Sequence, residues 1–227
     1  IKGRAVGTGG QANALLVTRG AKILAAGEQS CPIIFTAEAD PLDGTYSVSN
    51  TAQWGGVVVL GKASNNLITA NAYSDKVNDG VGFVEGFTAA TARNLYGMPT
   101  GSADDNDNSG ILKYVSIRHA GAVVGAANEL NGLTLASVGR GTTVEYIEII
   151  SNEDDGIEFF GGTVNVKHIV CMFNKDDNFD WDLGWSGKAQ FLFVLQHATT
   201  GDNGFEMDGD DDKTNPSIVS NPTIYNA

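Results

Sequence analysis

Three stretches of this chain repeat one acidic pattern: Asp154-Asp155-Gly156-Ile157-Glu158-Phe159-Phe160, Asp176-Asp177-Asn178-Phe179-Asp180-Trp181-Asp182 and Asp202-Asn203-Gly204-Phe205-Glu206-Met207-Asp208. Each reads acid, acid or amide, Gly or Asn, apolar, acid, apolar. If the copies stack, Glu158, Asp180 and Glu206 fall in one column, with Asp182 above Asp208. Carboxylates ~5 Å apart repel by about 1 kcal/mol or more, depending on exposure. A cation, lysines, backbone donors or raised pKa values must offset that repulsion. Calcium is the natural candidate, because it accepts several carboxylate and carbonyl oxygens in flexible geometry. The candidate ligands are Asp155, Glu158, Asp177, Asp180, Asp182, Glu206 and Asp208, with Asp154, Asp176 and Asp202 beside them.

Two other readings of these acids stay open. One is a solvated acidic face, or Asp side chains closing local turns. The other is catalysis. A glycosidase needs two carboxyls at a set separation, one with a raised pKa. Asp180 and Asp182 are that alternative pair, flanked by Trp181 and Trp185. A lyase needs a basic residue beside the cation, and the region offers Lys175, Lys188 and Lys213. The pattern is not an EF-hand, because the stretch from Asp202 lacks a glutamate at the twelfth loop position. It is not the Gly-Gly-x-Gly-x-Asp calcium repeat either.

The elements that position these acids follow from the spacing. Gly156, Asn178 and Gly204 are 22 and 26 residues apart, and a weaker copy, Glu129 to Leu135, precedes them. A second strand follows each copy: Thr143 to Ile149, Thr163 to Ile169 and Lys188 to Val194. A period near two dozen with two or three short strands is one coil of a β-solenoid, each coil covering its neighbour's strand edges. Leucine-rich repeats need a Leu-x-x-Leu-x-Leu consensus that is not present. The expected fold is all-β, a right-handed parallel β-helix of coils of 22–26 residues, forming one domain over residues 1–227. Segments 40–52 and 63–110 break the period and read as insertions. Gly156, Asn178 and Gly204 read as a recurrent corner with positive φ. Helical signals are confined to Ala89–Leu95 and Gly121–Ala127. Gly7-Thr8-Gly9-Gly10 lacks the Lys-Ser/Thr of a phosphate loop and reads as a turn.

Composition narrows the partners. The chain carries 27 acids against 14 bases, a net charge of −13, which disfavours nucleic acid and favours cations. No run reaches the ~20 apolar residues of a membrane helix. Cys31 and Cys171 fall several coils apart, too far for a disulfide, and read as two free, buried thiols. His119, His168 and His197 lie in or after the second strand of the repeat and read as ordinary strand residues. The abrupt ends at Ile1 and Ala227 read as cuts from a longer protein, one whose stacked coils are expected to self-associate into filaments if uncapped.

The sequence also resembles secreted and cell-surface right-handed parallel β-helix proteins of Bacteroidota and related bacteria, of the lipoprotein or sorting-domain kind. The resemblance rests on Arg19-Gly20-Ala21-Lys22-Ile23, Pro32-Ile33-Ile34-Phe35-Thr36, Trp54-Gly55-Gly56, Asn131-Gly132-Leu133-Thr134, Gly141-Thr142-Thr143-Val144-Glu145-Tyr146 and Gly187-Lys188-Ala189-Gln190-Phe191, together with the acidic copies. It implies the β-helix fold and a location outside the cytoplasm; the role expected of such a chain is structural, adhesive or glycan-binding, with a polysaccharide or cell-surface component as partner. It implies no reaction.

Overall fold

A computed structural model describes residues 1–4, 12–68, 75–85, 87, 89–122, 130–209 and 218–227. In chain order the strands are β1 (Lys2–Gly3), β2 (Ala14–Val17), β3 (Ile23–Ala26), β4 (Ile33–Ala37), β5 (Gly56–Leu60), β6 (Lys76–Asn78), β7 (Val81–Phe83) and β8 (Leu95–Gly97). There follow β9 (Gly110–Arg118), β10 (Leu133–Ala136), β11 (Thr143–Ile150), β12 (Ile157–Phe160), β13 (Asn165–Met172), β14 (Phe179–Asp182), β15 (Lys188–Leu195) and β16 (Thr223–Tyr225). One five-stranded sheet runs β14-β12-β10-β5-β2, and a larger one runs β1-β4-β9-β11-β13-β15-β16, with β3 also on β9. Every pairing within these two sheets is parallel. The architecture is therefore the right-handed parallel β-helix, with each coil hydrogen-bonded to the next.

The long strands of the larger sheet each bend once. Tyr114, Tyr146, His168 and Phe191 have φ of 49°, 57°, 56° and 59°, and the ladder pairings skip them. One left-handed residue per coil turns a long strand into two straight faces. L-residues pay for that conformation, and here ring stacking offsets it. Tyr146 stacks on Tyr114 at 4.5 Å and on His168 at 4.4 Å, and His168 stacks on Phe191 at 4.8 Å. His168 is thus an ordinary member of an aromatic column. His119 and His197 are outside it: His119 is buried at the end of β9, 2.7 Å from the Asn50 carbonyl through Nδ1, and His197 follows β15. Replacing Tyr146 by Ala removes two ring contacts and keeps the unfavourable φ, so chemical denaturation should show a loss of about 1–3 kcal/mol. Tyr146→Gly should be no worse than the alanine variant, because glycine accepts the left-handed φ.

Inside the coils like residues stack in rows: Val57, Leu133, Ile157 and Phe179 in one, Val59, Leu135, Phe159 and Trp181 in the next. Trp185 closes this core against Phe159, with ring centroids 3.9 Å apart. The continuous apolar run Val57-Val58-Val59-Leu60 is explained by burial on both faces. The outer face of the five-stranded sheet is covered by the chain between β5 and β9. Residues 61–66 climb along the coils, with Ala63 N on the Ser137 carbonyl, Ser64 O accepting from Gly162 N, and Asn66 N on the Leu183 carbonyl. Then β6, β7 and β8 form an antiparallel sheet. Tyr96 of β8, with Leu67 and Val84 beside that sheet, packs on Val58, Leu60, Ala136, Phe160 and Leu183.

Three expectations need correction. Residues 89–95 form a turn leading into β8, not a helix, because Asn94 Oδ1 accepts from Thr91 N and Oγ1 and its Nδ2 donates to the Ala89 carbonyl. Of the other helical candidate, residues 123–127 lie outside the described residues, as do Gly7–Gly10. Gly156, Asn178 and Gly204 do not have positive φ. A Cβ on Gly156 would sit 2.6 Å from the Asn178 carbonyl oxygen, so the glycine admits the next coil's backbone. The left-handed corners are instead Ser137, Gly161 and Leu183 after the shorter strands, and His119, Ser151 and Phe173 after the longer ones. Finally, Cys171 is buried but Cys31 is exposed, because it lies in the turn between β3 and β4; both are free. A thiol reagent should label Cys31 in the native protein and Cys171 only after unfolding, a difference mass spectrometry reads directly.

Candidate functional site

The acidic copies align in register. Along the outer face of the five-stranded sheet, Leu16, Val58, Thr134, Glu158 and Asp180 are successive ladder partners. Glu206 continues the column, its N–H donating to the Phe179 carbonyl at 2.9 Å, and Asp208 N donates to the Trp181 carbonyl at 3.0 Å. Asp182 pairs with Phe160 on the same face. Period-2 alternation sends Phe159 and Trp181 into the core and the acids outward.

Outward does not mean solvated. Glu158 is 6% exposed, Asp155 7% and Asp180 8%, and Glu85 of the insertion lies against Asn131 and Glu158. A carboxylate oxygen from each of these three residues lies within 4.8 Å of the others. Asn131 joins them: its Nδ2 donates to Glu85 Oε1 at 2.8 Å and to Glu158 Oε2. Two buried oxygens in this cluster, Asp180 Oδ1 and Asn131 Oδ1, have no hydrogen-bond partner.

Burial dominates the electrostatics. It pushes Glu158 well above the usual carboxylate range, and the charges of Glu85, Asp155, Asp180 and Asp182 push the same way. Burial, then the Asp154 and Asp180 charges, lift Asp155 to about 10. Burial lifts Asp180 to about 7 with help from Glu206, against the hydrogen bond to Glu158. Burial and the Asp154 charge lift Glu85 to about 8. Glu206 rises to about 7, first through its hydrogen bond with Asp177 and then through burial. The charges that weigh most on Asp155, Glu158 and Asp180 are all acidic. Such a cluster holds either protons or a cation.

The predicted residues divide. Asp155, Glu158 and Asp180 come together in one buried group. Asp177 joins a different, outer group with Asp176 and Asp202. Glu206 continues the column and Asp182 and Asp208 lie beside it, and none of the three enters either group. Two of the acids bond across coils, not within a local turn: Asp155 Oδ1 accepts from Asp177 N at 3.0 Å, and Asp177 Oδ1 accepts from Asn203 N at 2.5 Å. Each carboxylate caps the next coil. Trp181 and Trp185 are core residues, 4% and 0% exposed, and offer no platform for a sugar. Of the candidate bases, Lys175 is engaged with Glu153 at 2.8 Å, Lys188 is on the other sheet, and Lys213 lies outside the described residues. The sequence reading missed Glu85 and Asn131. Glu85 carried a faint signal, an acid bounded by Phe83-Val84 and Phe87 in an otherwise apolar run.

A family model described as a pectate-lyase-like beta helix domain matches residues 1–227. No curated protein and no solved structure matches the chain.

Proposed function

The chain belongs to the pectate-lyase-like β-helix domain family, and we propose that it works as a cation-stabilised, non-catalytic scaffold outside the cell that meets glycans or other surface components. The observation that carries this reading is the roofing of the acids. A sugar ring must lie against a catalytic carboxyl, yet Glu158 and Asp180 are buried, with Glu85 of the insertion against Glu158. No basic group ranks among the main charges acting on them, so an acid–base partner for a lyase is not at hand. Calcium suits the buried group. Oxygens within 4.8 Å of one another can share one ion at the ~2.4 Å calcium–oxygen distance, and the unpartnered Asp180 Oδ1 and Asn131 Oδ1 are oxygen donors suited to it. The resemblance to secreted and cell-surface proteins of Bacteroidota supports the location. Among the described residues no helix is long and apolar enough to cross a membrane.

The test is twofold: binding to a panel of acidic and neutral polysaccharides, and turnover of the same panel. Binding without turnover supports the scaffold. The second reading, polysaccharide cleavage, is favoured by the Asp180 carboxyl at about 7, a suitable value for a general acid. It requires that turnover is seen and is lost in both Asp180→Asn and Asp182→Asn. Self-association through stacked coils belongs to the scaffold proposal, and electron microscopy showing only dispersed monomers would remove it.

A further inference from the structure

A cation at the buried triad needs a route to water, and among the described residues two walls stand between them. One is the roof, where Leu67, Val84 and Tyr96, each 4% exposed or less, lie on the apolar outer face of the sheet. The other is the corner that precedes the shorter strands, which is lined by carboxylates. There Asp154, Asp155 and Asp176 bring ligand oxygens within 4.8 Å of one another, and Asp176, Asp177 and Asp202 do the same. The three groups overlap. Asp155 belongs to the buried triad and to the second group, and Asp176 to the second and third. The outer groups reach solvent: the inner triad is buried, Asp154 is half-buried, and Asp176 and Asp202 are exposed on either side of the buried Asp177. At the inner end, the buried Asp180 Oδ1 has no hydrogen-bond partner.

We infer that divalent cations enter and leave through this acidic corner, passed between the three overlapping carboxylate groups, and not by lifting of the roof. The inference rests on the cation reading above and adds its route. An ion moving from group to group stays within reach of anionic oxygens throughout, so its lost water is replaced at each step. An ion crossing the roof meets mostly apolar side chains, with Glu85 and Asp75 there but no group of three carboxylates among the described residues, so its desolvation is less fully relieved. The exposed end also concentrates cations by its local negative potential, which raises the rate of encounter. Carboxylates along the path lower the barrier in both directions. Removing one therefore slows loading and release together and changes affinity much less.

Terbium, a trivalent stand-in for calcium, is the probe, excited through Trp181 in the strand that carries Asp180. Stopped-flow loading and chelator-driven release are measured on the whole chain. Asp176→Asn should slow both rates about five-fold and change the equilibrium affinity by less than the rates. Loading should slow as salt is added, through screening of the corner. Val84→Ala loosens the roof and should leave both rates unchanged, with circular dichroism confirming that each variant is folded. Faster exchange in Val84→Ala with unaltered rates in Asp176→Asn would overturn the route and leave the cation reading standing. Wild-type protein that takes up no terbium at equilibrium would sink the cation reading itself, and the route with it.

Discussion

In chelator the protein melts at steadily lower temperature as the pH rises from about 5 to about 9, and calcium restores what the rise removes. The sign follows from the direction of the shifts. Asp180, Glu85 and Asp155 stand at about 7, 8 and 10 in the folded chain, and Glu158 also stands well above its ordinary value. A carboxyl that holds its proton more tightly when folded contributes stability that is complete below its unfolded pKa. That contribution is lost as the pH climbs through the folded pKa. The window therefore opens near the ordinary carboxylate range and extends to about 10, the value for Asp155. Calcium competes with these protons, so its stabilising effect is small in acid and grows with pH. At a hundred times its dissociation constant it contributes about 2.7 kcal/mol, or roughly 5–10 °C in a chain of this size. Glu158→Gln removes one of the stacked charges. It should flatten the pH dependence in chelator and reduce the response to calcium. Scanning calorimetry across pH, with and without calcium, reads both effects. A melting temperature that rises with pH in chelator, with no calcium response, would show that the cluster holds neither protons nor a cation.

Trp185→Ala should cost about 3–5 kcal/mol and lower the melting temperature by ~10 °C or more, with or without calcium. Trp185 is fully buried, stacks on Phe159 at 3.9 Å, touches Trp181 at 5.6 Å, and donates from Nε1 to the Val164 carbonyl at 3.2 Å. Alanine leaves a cavity in the middle of the stacked rows, and the coils above and below hold their spacing through the ladder, so collapse is limited. It also leaves the Val164 carbonyl without its indole partner. Trp185→Phe keeps most of the ring and loses only that hydrogen bond, so it should cost less than half as much. Because this loss arises inside the coil and the calcium response outside it, the two should add in a combined experiment. Equal losses for Phe and Ala would mean that the hydrogen bond, and not the packed ring, carries the position.

Much of the architecture was readable from residue order. Glu158, Asp180 and Glu206 occupy one column because coils of nearly constant length bring like positions together, and strand alternation assigns each residue a face. Both are local rules, so the acidic copies reveal the stack without any knowledge of what surrounds it. The same alternation sets Phe159 and Trp181 on the opposite face, which the structure shows to be the core. The local rules failed at the corners, where Gly156 answers to the backbone of the next coil and left-handed φ falls on Tyr146 and His168. A residue's composition says which conformations it tolerates, whereas stacking contacts decide which one it adopts.

The character of the site was decided by tertiary structure. Sequence order marks Glu158 and Asp180 as outward-facing, which for an uncovered sheet means solvated. The insertion has no period, and nothing in its order announces that Leu67, Val84 and Tyr96 will settle on that face or that Glu85 will meet Asn131. Exposure, pKa and the capacity to hold an ion all depend on what covers a group. That cover comes from residues distant along the chain, whose docking is set by shape and buried area and leaves no repeat to read.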